Sequence, residues 1–307
     1  MIGIRAVASY LPQNRINNLD RQKVFEFEDE FLEKKIGFLS ISRKNADEDT
    51  SDMCCAAFDQ LVRNGGVDPD SVQVVAVCTQ NPDYSIPHTA AIVHGKLGLT
   101  ESCAAFDISL GCSGYTYGLA IIKNFMRGMG FTSGLLFTSD PYSKIIDETN
   151  RDTALLFGDA ATVTHIGTDP IFALGRFTFG TRGKEYSALI CRNGILNMNG
   201  RTIFDFSAST IPDDIKEALK LNNLKIDEIH YFLIHQGSKY IVDFIKKRLR
   251  LPDEKTPFKA QGYGNTVSSS IPLLLEDVLT DQSAKRVLIT GFGVGLSWST
   301  TVLFRQR

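Results

Sequence analysis

The sequence predicts an α/β fold made of two similar halves, and two observations carry that reading. Short, unbroken apolar runs alternate with segments of helical periodicity, and the order of segments in the first half recurs in the second. Residues 72–78 (VQVVAVC) have the length and apolarity of a strand buried on both faces. Residues 134–138, 231–234 and 286–290 read the same way. Between them, residues 51–64 set Met53, Ala56, Ala57, Leu61 and Val62 at helical spacing. Residues 212–222 and 238–249 predict two further helices.

The repeat is visible by aligning the halves. VVAVCTQNPDYSIPHTAAIVHGKLGL runs strand, polar turn, helix and a Lys-Leu-Gly-Leu ending, and YFLIHQGSKYIVDFIKKRLRL runs the same course to Arg-Leu-Arg-Leu. FDISLGCSGYTYGLAIIKNF then places Cys112 at a turn before a helix. FKAQGYGNTVSSSIPLLLEDVL places Asn265 at the matching turn. In both cases a strand centre, Leu135 or Leu288, follows 23 residues later. The predicted halves are residues 1–168, carrying Cys112, and 169–307, carrying His235 and Asn265.

With 307 residues, 43% hydrophobic and 22% charged, the chain has an ordinary globular composition and can bury a large core. A formal charge of −2 gives no global attraction to nucleic acid or anionic membrane. The first residues, MIGIRAVASYLPQNR, lack a cationic lead and a signal-length apolar run, and no stretch approaches the ~18 apolar residues of a membrane span. The expected location is the cytoplasm. Six cysteines without a CxxC pair or His-rich tract predict neither zinc nor a disulfide framework, and buried free thiols are the default expectation.

Three residues are candidates for chemistry. Cys112 sits between glycines at the opening of a helix expected to reach about Met126, where unpaired N–H groups and the helix dipole favour a thiolate. His235 ends the apolar run YFLI, where it can point into a cleft and donate or move a proton. Asn265 follows Gly262-Tyr263-Gly264. Taken singly, each has a plainer reading: a small buried hydrophobe, a satisfied core histidine and a turn residue. Their placement in a duplicated fold, beyond the carboxyl ends of buried strands, favours the chemical one.

Several segments, in order along nearly the whole chain, resemble the ketoacyl-acyl-carrier-protein synthase III family of the thiolase superfamily. AFDISLGCSGYTYGL is similar to the family's nucleophile segment, FLIHQGS to its His-Gln-Ala-Asn segment and GYGNTVSSSIPLLL to its Gly-Asn-Thr segment. FGDAATVTHIG and GFGVGLSWSTTVL resemble its mid-chain Phe-Gly-Asp-Gly-Ala and C-terminal glycine-rich segments. The resemblance implies a thiolase fold, two halves in a layered αβαβα sandwich. It also implies a two-stage reaction. Cys112 takes an acyl group from a thioester, and His235 and Asn265 then donate to the thioester oxygen of a malonyl group as it loses CO₂. A second oxyanion site would come from the Cys112 N–H and one in the turn at 293–295. Coenzyme A or phosphopantetheine thioesters would be substrates, with no metal or organic cofactor. Acyl carrier protein would be the partner, and a homodimer the assembly.

The resemblance also implies a substrate channel. Phe31 stands where the family has a tryptophan stacked on adenine, with Arg151 on the other side. Lys35 replaces a phosphate-contacting arginine, and Phe204 matches a channel phenylalanine. Gly237-Ser238 replaces Ala-Asn, and Val294 interrupts three family glycines. Ile86 replaces a phenylalanine that reaches the partner subunit's acyl pocket, and Tyr142 replaces a smaller aliphatic at the pocket floor. Lys246, Lys247, Arg248 and Arg250 end the helix after His235, either as a solvated, dipole-compatible helix end or as a landing patch for an acidic carrier protein. The alternative activity is an acyltransferase passing the Cys112 acyl group to a hydroxyl or amine. A thiolase would want a second cysteine near the C-terminal glycine turn, and none follows Cys191.

Overall fold

A computed structural model of the chain describes residues 1–306. The strands are β1 (Ile2–Tyr10), β2 (Asn14–Asn17), β3 (Ser40–Arg43), β4 (Val74–Cys78), β5 (Ala104–Ile108), β6 (Ser133–Ser139), β7 (Ala161–Thr168), β8 (Phe172–Thr181), β9 (Leu189–Arg192), β10 (Ile195–Met198), β11 (Tyr231–Ile234), β12 (Arg286–Gly293) and β13 (Ser297–Arg305). The α-helices are α1 (Gln22–Phe25), α2 (Thr50–Arg63), α3 (Thr89–Leu97), α4 (Gly114–Met129), α5 (Arg151–Ala154), α6 (Gly200–Leu221), α7 (Lys239–Leu249) and α8 (Ser270–Thr280). One mixed sheet of nine strands runs β11-β12-β13-β8-β1-β7-β6-β4-β5. The four apolar runs in the sequence are its strands β4, β6, β11 and β12.

Alternation along these strands sorts their side chains into layers. Val75 and Val77 of β4 pack with Met53 and Leu61 of α2 and Val93 of α3 on one outer face. Val74 and Ala76 point the other way, into a central layer with Leu119 and Ile122 of α4 and Ile271 and Leu274 of α8. Val287 and Ile289 of β12 reach the same central layer, while Leu288 turns outward to Ile215 of α6 and Val242 and Ile245 of α7. The order is therefore helix, sheet, helix, sheet, helix, with α4 and α8 between the two arms of the sheet. Each fully buried Leu, Ile or Val in these layers contributes about 1.5–3 kcal/mol of apolar burial. The arms are joined where β1 pairs antiparallel with β8.

Two local expectations change. The helix expected from residue 212 begins twelve residues earlier, at Gly200, and Pro212 lies inside it. Its start is the cap at Asn199, whose Oδ1 accepts from the Thr202 N–H at 3.1 Å. The helix expected to open at Cys112 starts at Gly114 and runs to Met129. The second half also has no counterpart of β5, since residues 256–269 form short 3-10 turns at Ala260–Gly262 and Val267–Ser269.

Candidate active site

Cys112 lies in the turn between β5 and α4, and the Gly114 N–H donates to the Gly111 carbonyl at 2.7 Å to close it. Glycine at 114 lets the first turn of α4 rest on β4, because a Cβ there would sit 2.2 Å from Cys78 Sγ. Glycine at 293 leaves room for the Cys112 side chain, because a Cβ there would lie 2.8 Å from Cys112 Sγ. Cys112 is 4% exposed. Burial pushes its thiol up to about 12, and the nearby Asp140 carboxylate adds to the rise. The N–H groups of Val294 and of Cys112 itself oppose it. The expected thiolate preference of a helix start thus meets a larger desolvation, and the resting side chain is a thiol at neutral pH. Asp140 is itself pushed up to about 6 by burial, and accepts from the Gln80 N–H at 2.7 Å and Ser268 Oγ at 2.6 Å.

His235 follows β11, and its N–H donates to the Thr290 carbonyl of β12 at 3.0 Å, continuing the parallel pairing past the strand end. Its Nδ1 is 2.7 Å from Ser270 Oγ, and its ring meets the Phe292 ring edge-on at 5.5 Å. The imidazole is 2% exposed, and burial pushes its pKa down to about 3, so it is neutral at pH 7.

Asn265 is held on both sides by the segment leading into β7. Its N–H donates to the Leu156 carbonyl at 2.8 Å, and its carbonyl accepts from the Gly158 N–H at 3.0 Å. Its Oδ1 accepts from the Val267 N–H at 2.9 Å. With Oδ1 occupied, the amide orientation is fixed, and Nδ2 has no hydrogen-bond partner among the described residues.

Cys112, His235 and Asn265 line one narrow cleft of about 120 Å³, walled by Phe157, Leu189, Ile203, Ile241 and Phe292. Leu156, Met198 and Gly200 carry its lining into an outer depression of about 500 Å³ that Phe31, Asp152 and Arg201 border. The Arg151 guanidinium lies 5.2 Å over the Phe31 ring, so these two residues meet at the outer end of the channel. Lys35 is exposed on the adjoining helical turn Phe31–Ile36. Phe204 packs on Tyr240 and Phe244 of α7 at 4.9 and 5.2 Å, and its neighbour Ile203 faces the cleft.

Tyr142 is buried against Phe157 at 4.8 Å, and its hydroxyl donates to Gln80 Oε1 at 3.1 Å. It borders a further cavity of about 400 Å³ with Val294, and Leu189 is common to that cavity and the cleft. Ile86 is 87% exposed at a loop tip, with Tyr84 beside it. In the basic cluster, Lys246 is paired with Asp243 and Asp253, each at 3.0 Å. Lys247, Arg248 and Arg250 are exposed and form no salt bridge among the described residues. Of the cysteines, Cys191 is exposed and Cys55 half-buried, so the buried default holds for the other four. Sequence reasoning missed Ser270 and the Val267 N–H. Their one sequence signal is the serine run 268–270 after Asn265, which reads as a helix start.

No helix among the described residues is long and apolar enough to cross a membrane. Comparison with known proteins agrees with the geometry. The 3-oxoacyl-[acyl-carrier-protein (ACP)] synthase III profile matches residues 106–183, and the profile for the C-terminal part of the same enzyme matches residues 219–304. A β-ketoacyl-[acyl-carrier-protein] synthase III of Lactococcus lactis subsp. cremoris is 31% identical, with 98% of each chain covered. One from Enterococcus faecalis is also 31% identical over the same share. The crystal structure of the Thermus thermophilus enzyme superposes with a TM-score of 0.91 at 30% identity, covering 98% of each chain. On these grounds the fold is the thiolase fold, and the chain belongs to the β-ketoacyl-[acyl-carrier-protein] synthase III family.

Proposed function

We propose that the protein is a decarboxylating ketosynthase that carries the primer acyl group on Cys112 and extends it with a malonyl unit. The observation that carries this is the convergence of a buried thiol, a neutral imidazole and an oriented amide on one apolar cleft. In the first stage the Cys112 sulfur attacks the thioester carbonyl. The carbon–sulfur bond to coenzyme A or phosphopantetheine breaks, and the released thiol takes the proton that Cys112 loses. The N–H groups of Cys112 and Val294, already directed at the sulfur, suit the oxyanion of that step. In the second stage a malonyl thioester loses CO₂, and the resulting enolate oxygen lies between His235 and Asn265 Nδ2. Two fixed N–H donors stabilise the charge as it forms. The enolate carbon attacks the acyl-Cys112 carbonyl, the bond from that carbonyl to the Cys112 sulfur breaks as the β-ketoacyl product departs, and the thiolate takes a proton from solvent. Thioester exchange and decarboxylation call on neither a metal nor a redox cofactor.

The activity is thus acyl transfer to carbon. Transfer to an alcohol or amine would gain from a carboxylate base at position 265, where asparagine stands. We assign Phe31, Arg151, Lys35 and Phe204 to the carrier end of the channel, and Tyr142 and Val294 to the acyl end. The unpaired Lys247, Arg248 and Arg250 form the surface for an acidic acyl carrier protein. We further propose a homodimer, in which Ile86 reaches the partner's acyl chamber, working in the cytoplasm, where free thiols stay reduced.

Intact-mass spectrometry after incubation with a panel of acyl-CoA and acyl-carrier donors tests the first stage. One acyl group per chain is expected for the wild type and none for Cys112→Ala. Equal loading of both proteins sinks the proposal.

A further inference from the structure

We propose that Ser270 is the positioning residue that holds the His235 ring as the Nε2–H tautomer, the form able to donate a hydrogen bond into the cleft. Ser270 is the first residue of α8 and is fully buried. Among the described residues its Oγ has two polar neighbours at hydrogen-bond distance: His235 Nδ1 at 2.7 Å and the backbone N–H of Gln236 at 3.4 Å. A backbone N–H can only donate, so Oγ accepts there. The hydroxyl hydrogen then needs an acceptor, and Nδ1 is the one in reach. Were Nδ1 protonated, it would donate to Oγ and leave the hydroxyl hydrogen buried with no partner, an arrangement that folded proteins avoid. Nδ1 is therefore the acceptor, and a neutral ring carries its hydrogen on Nε2.

The surroundings leave this choice to Ser270. Among the described residues no carboxylate bonds to His235, and the neighbouring Phe292 ring is apolar. The adjacent serines are committed elsewhere: Ser268 donates to Asp140 and Ser269 to the Thr138 carbonyl. On the other side, the ring borders the cleft, and a Cβ at Gly237 would make only ordinary van der Waals contact with Nε2, at 3.4 Å. The consequence for catalysis rests on the condensation proposed above, but the geometric argument does not.

The tautomer is read directly from long-range ¹H–¹⁵N correlations of wild-type protein carrying ¹⁵N-histidine, with the His235 signal assigned by its loss in His235→Gln. A protonated Nε2 and an unprotonated Nδ1 between pH 6 and 8 are expected, and a protonated Nδ1 overturns the proposal. In kinetics, Ser270→Ala should keep Cys112 acylation within about twofold and slow malonyl decarboxylation by about 10-fold. That is less than the ~100- to 1000-fold cost of losing an oxyanion donor outright. Ser270→Thr, which keeps the hydroxyl, should recover most of the rate. Decarboxylation by Ser270→Ala at the wild-type rate overturns the positioning role. If the wild type decarboxylates no malonyl thioester, the condensation reading fails, and the wild-type spectrum still decides the tautomer.

Discussion

Cys112 stands between opposing influences, and the balance has a measurable consequence. Burial and the Asp140 carboxylate raise its pKa to about 12, while two backbone N–H groups pull the other way. A thiol this weakly acidic is ionised only to a small extent through the neutral range, and that fraction rises about tenfold per pH unit. The logarithm of the rate of alkylation by iodoacetamide should therefore rise by about one unit per pH unit from pH 7 to 9.5, as a single thiolate nucleophile requires. A plateau near pH 7 would show instead that the helix start dominates. His235 and Asn265 illustrate what a sequence can say at this scale. Their types and their places after a strand and a glycine turn were legible. Their hydrogen-bond partners were not, because Ser270 lies 35 residues from His235 and Leu156 and Gly158 lie more than 100 from Asn265. The first contact exists only once β11 and α8 have packed, and the other two only once residues 156–158 have met Asn265.

At the scale of elements, β5 is the end strand of the sheet, and its free edge can pair with a further strand. Beside it runs an apolar strip. Phe106 of β5 meets Phe125 of α4 at 5.4 Å, Ile121 lies one turn away and is 39% exposed, and Tyr117 meets the half-exposed Phe179 at 4.8 Å. An open edge flanked by such a strip fits a second copy of the chain. Light scattering at micromolar concentration should give a dimer for the wild type and a shift toward monomer for Ile121→Lys. A monomeric wild type refutes the proposed assembly. The element boundaries that misled have local causes. Pro212 invites a helix start because proline suits the first turn, yet α6 carries it in its interior and starts at the Asn199 cap. Conversely, β4, β6, β11 and β12 were legible because strands buried on both faces must be apolar throughout.

For the whole molecule, the site joins segments that lie far apart along the chain. The first half supplies Cys112, the second His235 and Asn265, and the bridge between Phe157 and Asn265 fastens one to the other. The repeat in the sequence anticipated this pairing, though not the missing counterpart of β5 or the cavity beside Tyr142, whose shape depends on β9, β10 and the loops around them. Because the proposed nucleophile and the proposed enolate donors are different residues, the two stages can be disabled separately. The most direct test follows acyl-enzyme formation and CO₂ release side by side in wild type and Asn265→Ala. The account predicts that Asn265→Ala keeps substantial Cys112 acylation while malonyl decarboxylation falls by about 100- to 1000-fold. A wild type that accepts the acyl group, releases no CO₂ from any malonyl thioester and passes the acyl group to an alcohol or amine would contradict it.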